Sequence, residues 1–237
     1  MYDMDFSIDM CLSSTFISQL APSKNITVGY LPSSIPKSSL RRSSALTKQV
    51  LTFSDFVFKT NPNYIVFATC HGELGRTLSL LYSIAEKTEL SPIKFAQSVH
   101  STAPGILTIV NNQQVPFTTV CAGEDTFIMA IIEAIAHLTN NPKDEVCIIF
   151  ADENTPNELA NFLGDNGSYS LAIKLRVGGN YQIKVENSKS QLTKKEQNNN
   201  GDVMSFVNNI SNLEEFELNT SSLNLIWKLS NDDIKTT

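Results

Sequence analysis

Gly105-Ile-Leu-Thr-Ile-Val-Asn-Asn-Gln-Gln-Val-Pro-Phe-Thr-Thr-Val-Cys-Ala-Gly-Glu124 decides how this chain is read. The stretch implies a short helix (Ala103–Asn111), a loop, a strand (Val115–Cys121) and a sharp turn into a second helix over Asp125–Thr139. Phe127-Ile-Met-Ala-Ile-Ile-Glu-Ala-Ile-Ala136 is apolar nearly all round, so that second helix belongs inside a domain rather than on its surface. A turn that delivers Glu124 to the start of a buried helix is a place where chemistry or its deliberate loss can sit.

Working outward, Tyr64-Ile-Val-Phe-Ala-Thr69 and Glu145-Val-Cys-Ile-Ile-Phe-Ala151 are short continuous apolar runs, the pattern of parallel strands buried on both faces. Between them falls a helix over Arg76–Lys87, with Leu78, Leu81, Tyr82 and Ala85 on one side. Strands alternating with helices define an α/β layered domain. Loose alternation at Phe6, Ile8, Met10 and Leu12 gives an opening strand, and a helix is expected from about Ser39 to Phe53 after the loop holding Pro32 and Pro36. Past Ala151 the character turns antiparallel: Tyr169–Leu175 and Tyr181–Glu186 flank Gly178-Gly179-Asn180, a hairpin signal. Residues 187–202 have almost no apolar content and read as a mobile loop. A helix near 202–211 and a strand over Leu223–Leu229 close the chain, taken as a single domain over 1–237.

Net charge is −6, which argues against a chain-wide nucleic-acid surface. The first nine residues carry three acids and no Lys or Arg, unlike the basic start of a secretory signal, and no apolar run approaches the length of a bilayer span. Four scattered cysteines at 11, 70, 121 and 147 fit buried thiols in a reducing compartment, so a soluble, cytoplasmic protein is expected, with no membrane partner. Neither Cys-x-x-Cys nor His-x-x-x-His occurs; no metal and no cofactor is expected.

Several short motifs occur in order: Arg41-Arg42, His71-Gly-Glu-Leu-Gly-Arg-Thr77, Leu90-Ser-Pro92, Ser98-Val-His-Ser-Thr102, Ala122-Gly-Glu-Asp-Thr-Phe127, Ala151-Asp-Glu153 and the Trp227 strand. Together they resemble the β-ketoacyl synthase N-terminal-like proteins of aryl polyene gene clusters, called chain-length-factor-like. Laid without a gap on the ketosynthase pattern, Thr108-Ile109 match Ser-Ile, Pro116 matches the Pro of the Gly-Pro, and the nucleophilic Cys falls on Glu124. The resemblance implies an α/β, thiolase-like fold, half of the ketosynthase fold, with a mixed sheet of about five strands around a buried helix. It also implies an accessory subunit that lacks the catalytic Cys, and lacks the second half from which ketosynthases draw their catalytic histidines. Such a subunit would not be catalytic alone. It would pair with a ketosynthase or with itself as a dimer, or bind an acyl chain, in aryl polyene, polyketide or fatty-acid-like biosynthesis. The alternative is a decarboxylase or acyltransferase acting on acyl-carrier-protein thioesters, with Glu124 or Cys121 in the site, because related chain-length factors carry Gln at the nucleophile seat.

The candidate residues each have a plainer role available. Glu124 and Asp125 suit a helix N-terminus simply as acids. Cys121 is expected to be a small buried hydrophobe of its strand. His71 and His100 either line a pocket or hydrogen-bond loop backbones. Lys37, Arg41, Arg42 and Lys48 are either a solvated helix face or a dock for an acyl carrier protein and its phosphopantetheine phosphate. The resemblance places pairing on the strand before the nucleophile and the helix before it, here Ile106, Ile109, Val110, Val115, Phe117 and Thr119.

Overall fold

The computed structural model describes residues 2–13, 27–163, 168–179, 181–187, 199–212, 216–219 and 223–229. In chain order the elements are β1 (Tyr2–Ser13), β2 (Thr27–Gly29), α1 (Lys37–Arg42), α2 (Ala45–Leu51), α3 (Ser54–Phe58), β3 (Tyr64–Ala68), α4 (Leu74–Ala85), α5 (Pro92–Ala96), α6 (Thr102–Val110), β4 (Phe117–Val120), α7 (Thr126–Asn140), β5 (Glu145–Asp152), α8 (Ala160–Leu163), β6 (Tyr169–Val177), β7 (Tyr181–Asn187), α9 (Asn199–Asn212), β8 (Phe216–Asn219) and β9 (Leu223–Leu229). The nine strands form one mixed sheet in the order β4-β3-β5-β6-β1-β7-β9-β8, with β2 parallel to the end of β1. β4, β3 and β5 run parallel; β6, β1, β7, β9 and β8 follow in antiparallel pairs. The sheet is wider than the five or so strands expected. Among the described residues no helix is long and apolar enough to cross a membrane.

The apolar runs behave as their composition demands. Along β5, Val146, Ile148 and Phe150 enter one core while Cys147, Ile149 and Ala151 enter the other, and the whole strand is buried. The period of two along a strand thus serves two layers at once. One layer is α7, with Phe127, Ile131, Ile135 and Leu138 fully or nearly buried, covered in turn by α9: Phe127 meets Phe206 edge-on at 5.2 Å between centroids. The other layer is α2, α3 and α6, packed on Ile65, Phe67 and Ile149.

Four expectations change. The helix over Ser39–Phe53 is broken into α1 and α2, and α3 follows beyond it. Ser43 is extended, and the Ser44 side chain accepts the Thr47 N–H at 2.9 Å, which starts a new helix instead of continuing the old one. The helix expected over Arg76–Lys87 runs Leu74–Ala85 and buries only Leu80; Leu81 and Tyr82, placed on its apolar side, are exposed. The strand before Glu124 is only Phe117–Val120, so Val115 precedes it and Cys121 lies beyond it. The two strands around Gly178-Gly179 do not pair with each other at all.

That last correction has a clear physical basis. β1 lies between β6 and β7, antiparallel to both: Phe6 is opposite Val177 in one ladder and opposite Tyr181 in the other. Between β6 and β7 the chain therefore passes from one side of β1 to the other instead of folding back. The Gly178 N–H donates to the Asp5 carbonyl at 2.7 Å. A Cβ on Gly179 would sit 2.6 Å from the Phe6 carbonyl oxygen and the Ser7 nitrogen, so the crossing needs a residue without a side chain. Gly179→Ala is expected to cost on the order of 2–3 kcal/mol, by overpacking against backbone that cannot move aside. Gly178→Ala, with φ +84° but nothing within 4 Å, should cost about 1 kcal/mol. Denaturant midpoints of the two variants test this; equal losses would mean that the contact with β1 is not what Gly179 is for.

Of the segment expected to be a mobile loop, 188–198 lie outside the described residues, and α9 takes in its last four positions.

Candidate functional site

The carboxyl ends of β4, β3 and β5 lie side by side, and the candidate residues of the sequence gather there: Cys121 to Asp125 after β4, Cys70 to Gly72 after β3, Asp152 and Glu153 at the end of β5. Crevices beyond the carboxyl ends of parallel strands are the usual ligand sites of α/β sheets.

The turn after β4 is built by Gly123 and Thr126. Gly123 has φ +58°, a left-handed conformation that lets the chain reverse from strand to helix within a few residues. The buried Thr126 hydroxyl accepts the Ala122 N–H at 2.9 Å and donates to the Gly123 carbonyl at 2.7 Å, locking the turn from below. Glu124 sits exposed on a single 3₁₀ turn at the head of α7. Asp125 is half-buried; burial, then the neighbouring Glu124 charge, raises its carboxyl above the usual range. Neither acid caps the helix through its side chain. Their placement still sets two carboxylates against the positive end of a 15-residue helix.

Cys121 is exposed, contrary to the buried thiol expected. The strand stops at Val120 because the chain must swing toward Gly123, and this carries Cys121 past the end of the sheet, where its thiol donates to the Cys70 carbonyl at 3.1 Å. Cys70 is half-exposed and its thiol donates to the Gly123 carbonyl at 3.3 Å; burial, then the charges of Asp152 and Cys121, push it up to about 11. Cys11, pushed up to about 12 by burial, and Cys147 are fully buried, as expected of structural thiols. Iodoacetamide should therefore label Cys121 first and leave Cys147 unmodified in the native protein, as read by peptide mass mapping; early loss of the Cys147 thiol would contradict this arrangement.

The loop after β3 hangs on Asp152, which is 2% exposed. Its carboxylate accepts from the Thr69 hydroxyl (2.7 Å), the Cys70 N–H (3.0 Å) and the His71 N–H (3.3 Å). The Thr69 hydroxyl accepts the Gly72 N–H at 2.9 Å. Burial raises the Asp152 carboxyl, and those hydrogen bonds only partly offset it. His71 is half-buried, and its Nε2 is buried with no hydrogen-bond partner among the described residues. His100 is exposed and its ring lies over Gly72, where a Cβ would come within 3.0 Å of the ring; Gly72, at φ +62°, leaves room for it. The two histidines thus flank the same loop. The third, His137, joins them nowhere: it stacks on Tyr64 at 4.3 Å and meets Asp144 at 2.8 Å.

A second polar group lies beside the first. Buried Glu73 accepts from the hydroxyls of Ser44 (2.8 Å) and Thr47 (2.9 Å) and pairs with Arg76 at 3.4 Å. Arg76 also donates to Gln97 and to the Arg42 carbonyl. Glu153 accepts the Gly75 N–H at 2.9 Å. This lattice ties α1, α2 and α4 to the end of β5. The sequence motifs contained Glu73, Arg76 and Glu153 but offered no role for them, since their partners lie far away along the chain. Of the basic residues, Arg41 and Arg42 line an open groove of about 500 Å³, while Lys37 and Lys48 are exposed elsewhere. Among the described residues, no group of three His, Cys, Asp or Glu side chains could hold a metal ion.

The residues expected to pair lie on one edge. Among the described residues β4 ends the sheet, and one side of its backbone has no strand neighbour. Ile106, Val110, Val115 and Phe117 are half-buried against the second core, Thr119 is half-buried, and Ile109 is 77% exposed.

A parallel three-strand unit, a buried central helix and a strand-to-helix turn at its head define the thiolase-like ketosynthase fold, and the chain belongs to that family: the model described as β-ketoacyl synthase, N-terminal domain, matches residues 21–230. No curated protein matches the sequence. Among solved structures, the chain is similar to one described as the ketosynthase ApeO in complex with its chain length factor ApeC from Xenorhabdus doucetiae, with a TM-score of 0.75 at 19% identity over 96% of this chain and 100% of that one. It is also similar to the ishigamide ketosynthase/chain length factor (TM-score 0.53, 14% identity, 65% of this chain and 51% of that one). A β-ketoacyl synthase from Burkholderia phymatum gives 0.53 at 9% identity, over 78% of this chain and 59% of that one.

Proposed function

We propose that this chain is a non-condensing, chain-length-factor-like subunit that pairs with a ketosynthase in type II polyketide or aryl polyene synthesis. The observation that carries the reading is the strand-to-helix turn at the head of α7, where Glu124 is exposed; on this reading that turn is the seat of a ketosynthase nucleophile, filled here by a carboxylate. A carboxylate there cannot relay an acyl group as a thiolate does. The open edge of β4, with the apolar end of α6 beside it, supports pairing with a second chain. So does the surface of α4 and α5. Of the large apolar residues exposed among the described residues, Leu81, Tyr82, Ile84, Leu90, Ile93, Phe95 and Val99 all fall in this one short stretch. A cluster of that kind marks an interaction face rather than a solvated one. The four free thiols suit a reducing, cytoplasmic setting. Carrier-protein contact through Arg41 and Arg42 belongs to the same proposal.

The test is co-expression with a ketosynthase encoded beside it: a stable complex by light scattering supports the reading, and two separate monomers reject it. The exposure of Cys121 is the one feature that favours an acyltransferase. Incubation with an acyl-carrier thioester and intact-mass measurement decide between them. No added acyl mass is expected, and a stable adduct on Cys121 would move the chain to the acyltransferase class.

A further inference from the structure

We propose that Cys70 and Cys121, at the carboxyl ends of β3 and β4, are a redox pair that a peroxide closes to a disulfide and a thiol reductant reopens. The two strands run parallel with Ala68 opposite Val120, and the Thr69 N–H still donates to the Val120 carbonyl at 3.1 Å. Cys70 follows Thr69 and Cys121 follows Val120, so the cysteines are the first residues past that last rung on either side. Neighbouring strands lie about 4.8 Å apart and a disulfide spans Cα separations of about 4.4–6.8 Å, which puts the pair within reach. The side chains already interlock. The Cys121 thiol donates to the Cys70 carbonyl at 3.1 Å, and the Cys70 thiol donates to the Gly123 carbonyl at 3.3 Å. Each stem is held in place: both Asp152 oxygens accept the Cys70 N–H at 3.0 Å, and the Thr126 hydroxyl ties the Ala122 N–H to the Gly123 carbonyl. Cys11 and Cys147 are fully buried and share none of this setting.

Exposure sets the order of events. Cys121 is exposed and meets the oxidant first. Its sulfur attacks one peroxide oxygen, the O–O bond breaks, and a sulfenic acid and one water are formed. Cys70 is half-exposed, and burial, then the charges of Asp152 and Cys121, push its thiol up to about 11; Glu124 adds to this and the Thr126 hydroxyl opposes it. It keeps its proton at neutral pH and serves as the resolving partner. The Cys70 sulfur attacks the sulfenic sulfur, the S–S bond forms, the S–O bond breaks, and the hydroxyl leaves with the Cys70 proton as a second water. Two thiols give up two electrons, and one peroxide is reduced to two waters. The Asp152 and Glu124 carboxyl groups beside the pair favour a small neutral oxidant over an anionic disulfide. Oxidation removes both thiol protons, so the Cys70 and Gly123 carbonyls lose their donors. The turn that carries Glu124 is thereby reset and tied to the loop that hangs on Asp152. In a reducing compartment such bonds are transient and serve redox sensing.

None of this requires a ketosynthase partner. The experiment exposes the full chain to dilute hydrogen peroxide, quenches it by alkylation, and reads intact mass and peptide maps. One linked peptide joining Cys70 to Cys121 is expected, with the loss of two alkylatable thiols and the mass of two hydrogens, all restored by dithiothreitol. Cys11 and Cys147 should stay reduced. In the linked form, amide exchange over Ala122–Asp125 and Cys70–Gly72 should slow severalfold. Cys121→Ser, at an exposed position, should lose no thiol at the same dose. Cys70→Ser should stop at a Cys121 sulfenic acid that dimedone traps; if that variant fails to fold, the wild-type map and Cys121→Ser still decide. A sulfinic acid on Cys121 with no link, a Cys121–Cys121 bond between two chains, a link reaching Cys11 or Cys147, or unchanged exchange in the linked form would each overturn the proposal.

Discussion

Ile109→Asp is expected to abolish pairing through the β4 edge while leaving the fold unchanged. Ile109 is 77% exposed, so in the isolated chain an aspartate there stays in water at almost no cost. In a pair of standard size, burying roughly 1,200–2,000 Å² in total, the same aspartate would be an unpaired buried charge costing several kcal/mol. That is enough to shift a micromolar complex out of the measurable range. Phe117→Asp should do the same from the start of the edge strand. Phe117 also packs on the second core, so this variant loses some stability of its own, and Ile109→Asp is the cleaner probe. Phe95→Asp, on the exposed apolar face of α5, asks whether the interface extends that far. Light scattering and pull-down with a co-expressed ketosynthase read all three. If Ile109→Asp and Phe117→Asp both keep the wild-type assembly, the partner sits elsewhere.

Asp152→Ala is expected to be the most destabilising substitution at the site, on the order of 3 kcal/mol or more. It removes one acceptor from three donors at once, the Thr69 hydroxyl and the Cys70 and His71 amides, in a place where water cannot replace it. The loop bearing Cys70, His71 and Gly72 would lose its anchor, so amide hydrogen exchange there should rise as well. Asp152→Asn keeps an acceptor of the same shape and should recover much of the loss. The pH dependence has a definite sign. Burial raises the Asp152 carboxyl in the folded chain above its unfolded value. The native state then holds more protons than the unfolded state between those two values, and stability falls as pH rises through that interval. The Asn variant should lack this segment of the pH profile; an unchanged profile would mean that Asp152 is not its source.

Much of the architecture was legible because it rests on local composition. Tyr64–Ala68 and Val146–Ala151 are apolar at every position because both faces are covered, and α7 is apolar nearly all round because it lies between the sheet and α9. The turn at Gly123 was legible for the same reason: the residues that make it are adjacent. What was missed depends on partners remote along the chain. Gly178-Gly179 reads as a hairpin because nothing nearby says that residues 2–12 will pass beneath it. Ser43-Ser44 looks like helix until Glu73 is brought up to its hydroxyl. The exposure of Cys121 turns on whether the strand stops one residue earlier. Arg76 and Lys94 join Arg41 and Arg42 only through the packing of α4 and α5 against the end of α1. The apolar residues of α4 share one side of the helix in the sequence, but only the packing of the other elements decides that Leu81, Tyr82 and Ile84 stay exposed.

The position of β1 has a consequence for how the molecule is made. β1, at residues 2–13, is flanked in the sheet by β6 and β7, at residues 169–187, which are synthesised much later. On the ribosome, Phe6 and Met10 must wait, unpaired and apolar, until those two strands emerge. Such long-range closure slows folding and leaves a sticky segment open to other chains in the meantime. The parallel unit β4-β3-β5 with α7 has the contacts to assemble first, and β1 then joins it to the antiparallel side in a late step. Yield in a heterologous host should therefore depend on chaperone capacity and growth temperature more than the equilibrium stability of the finished protein would suggest.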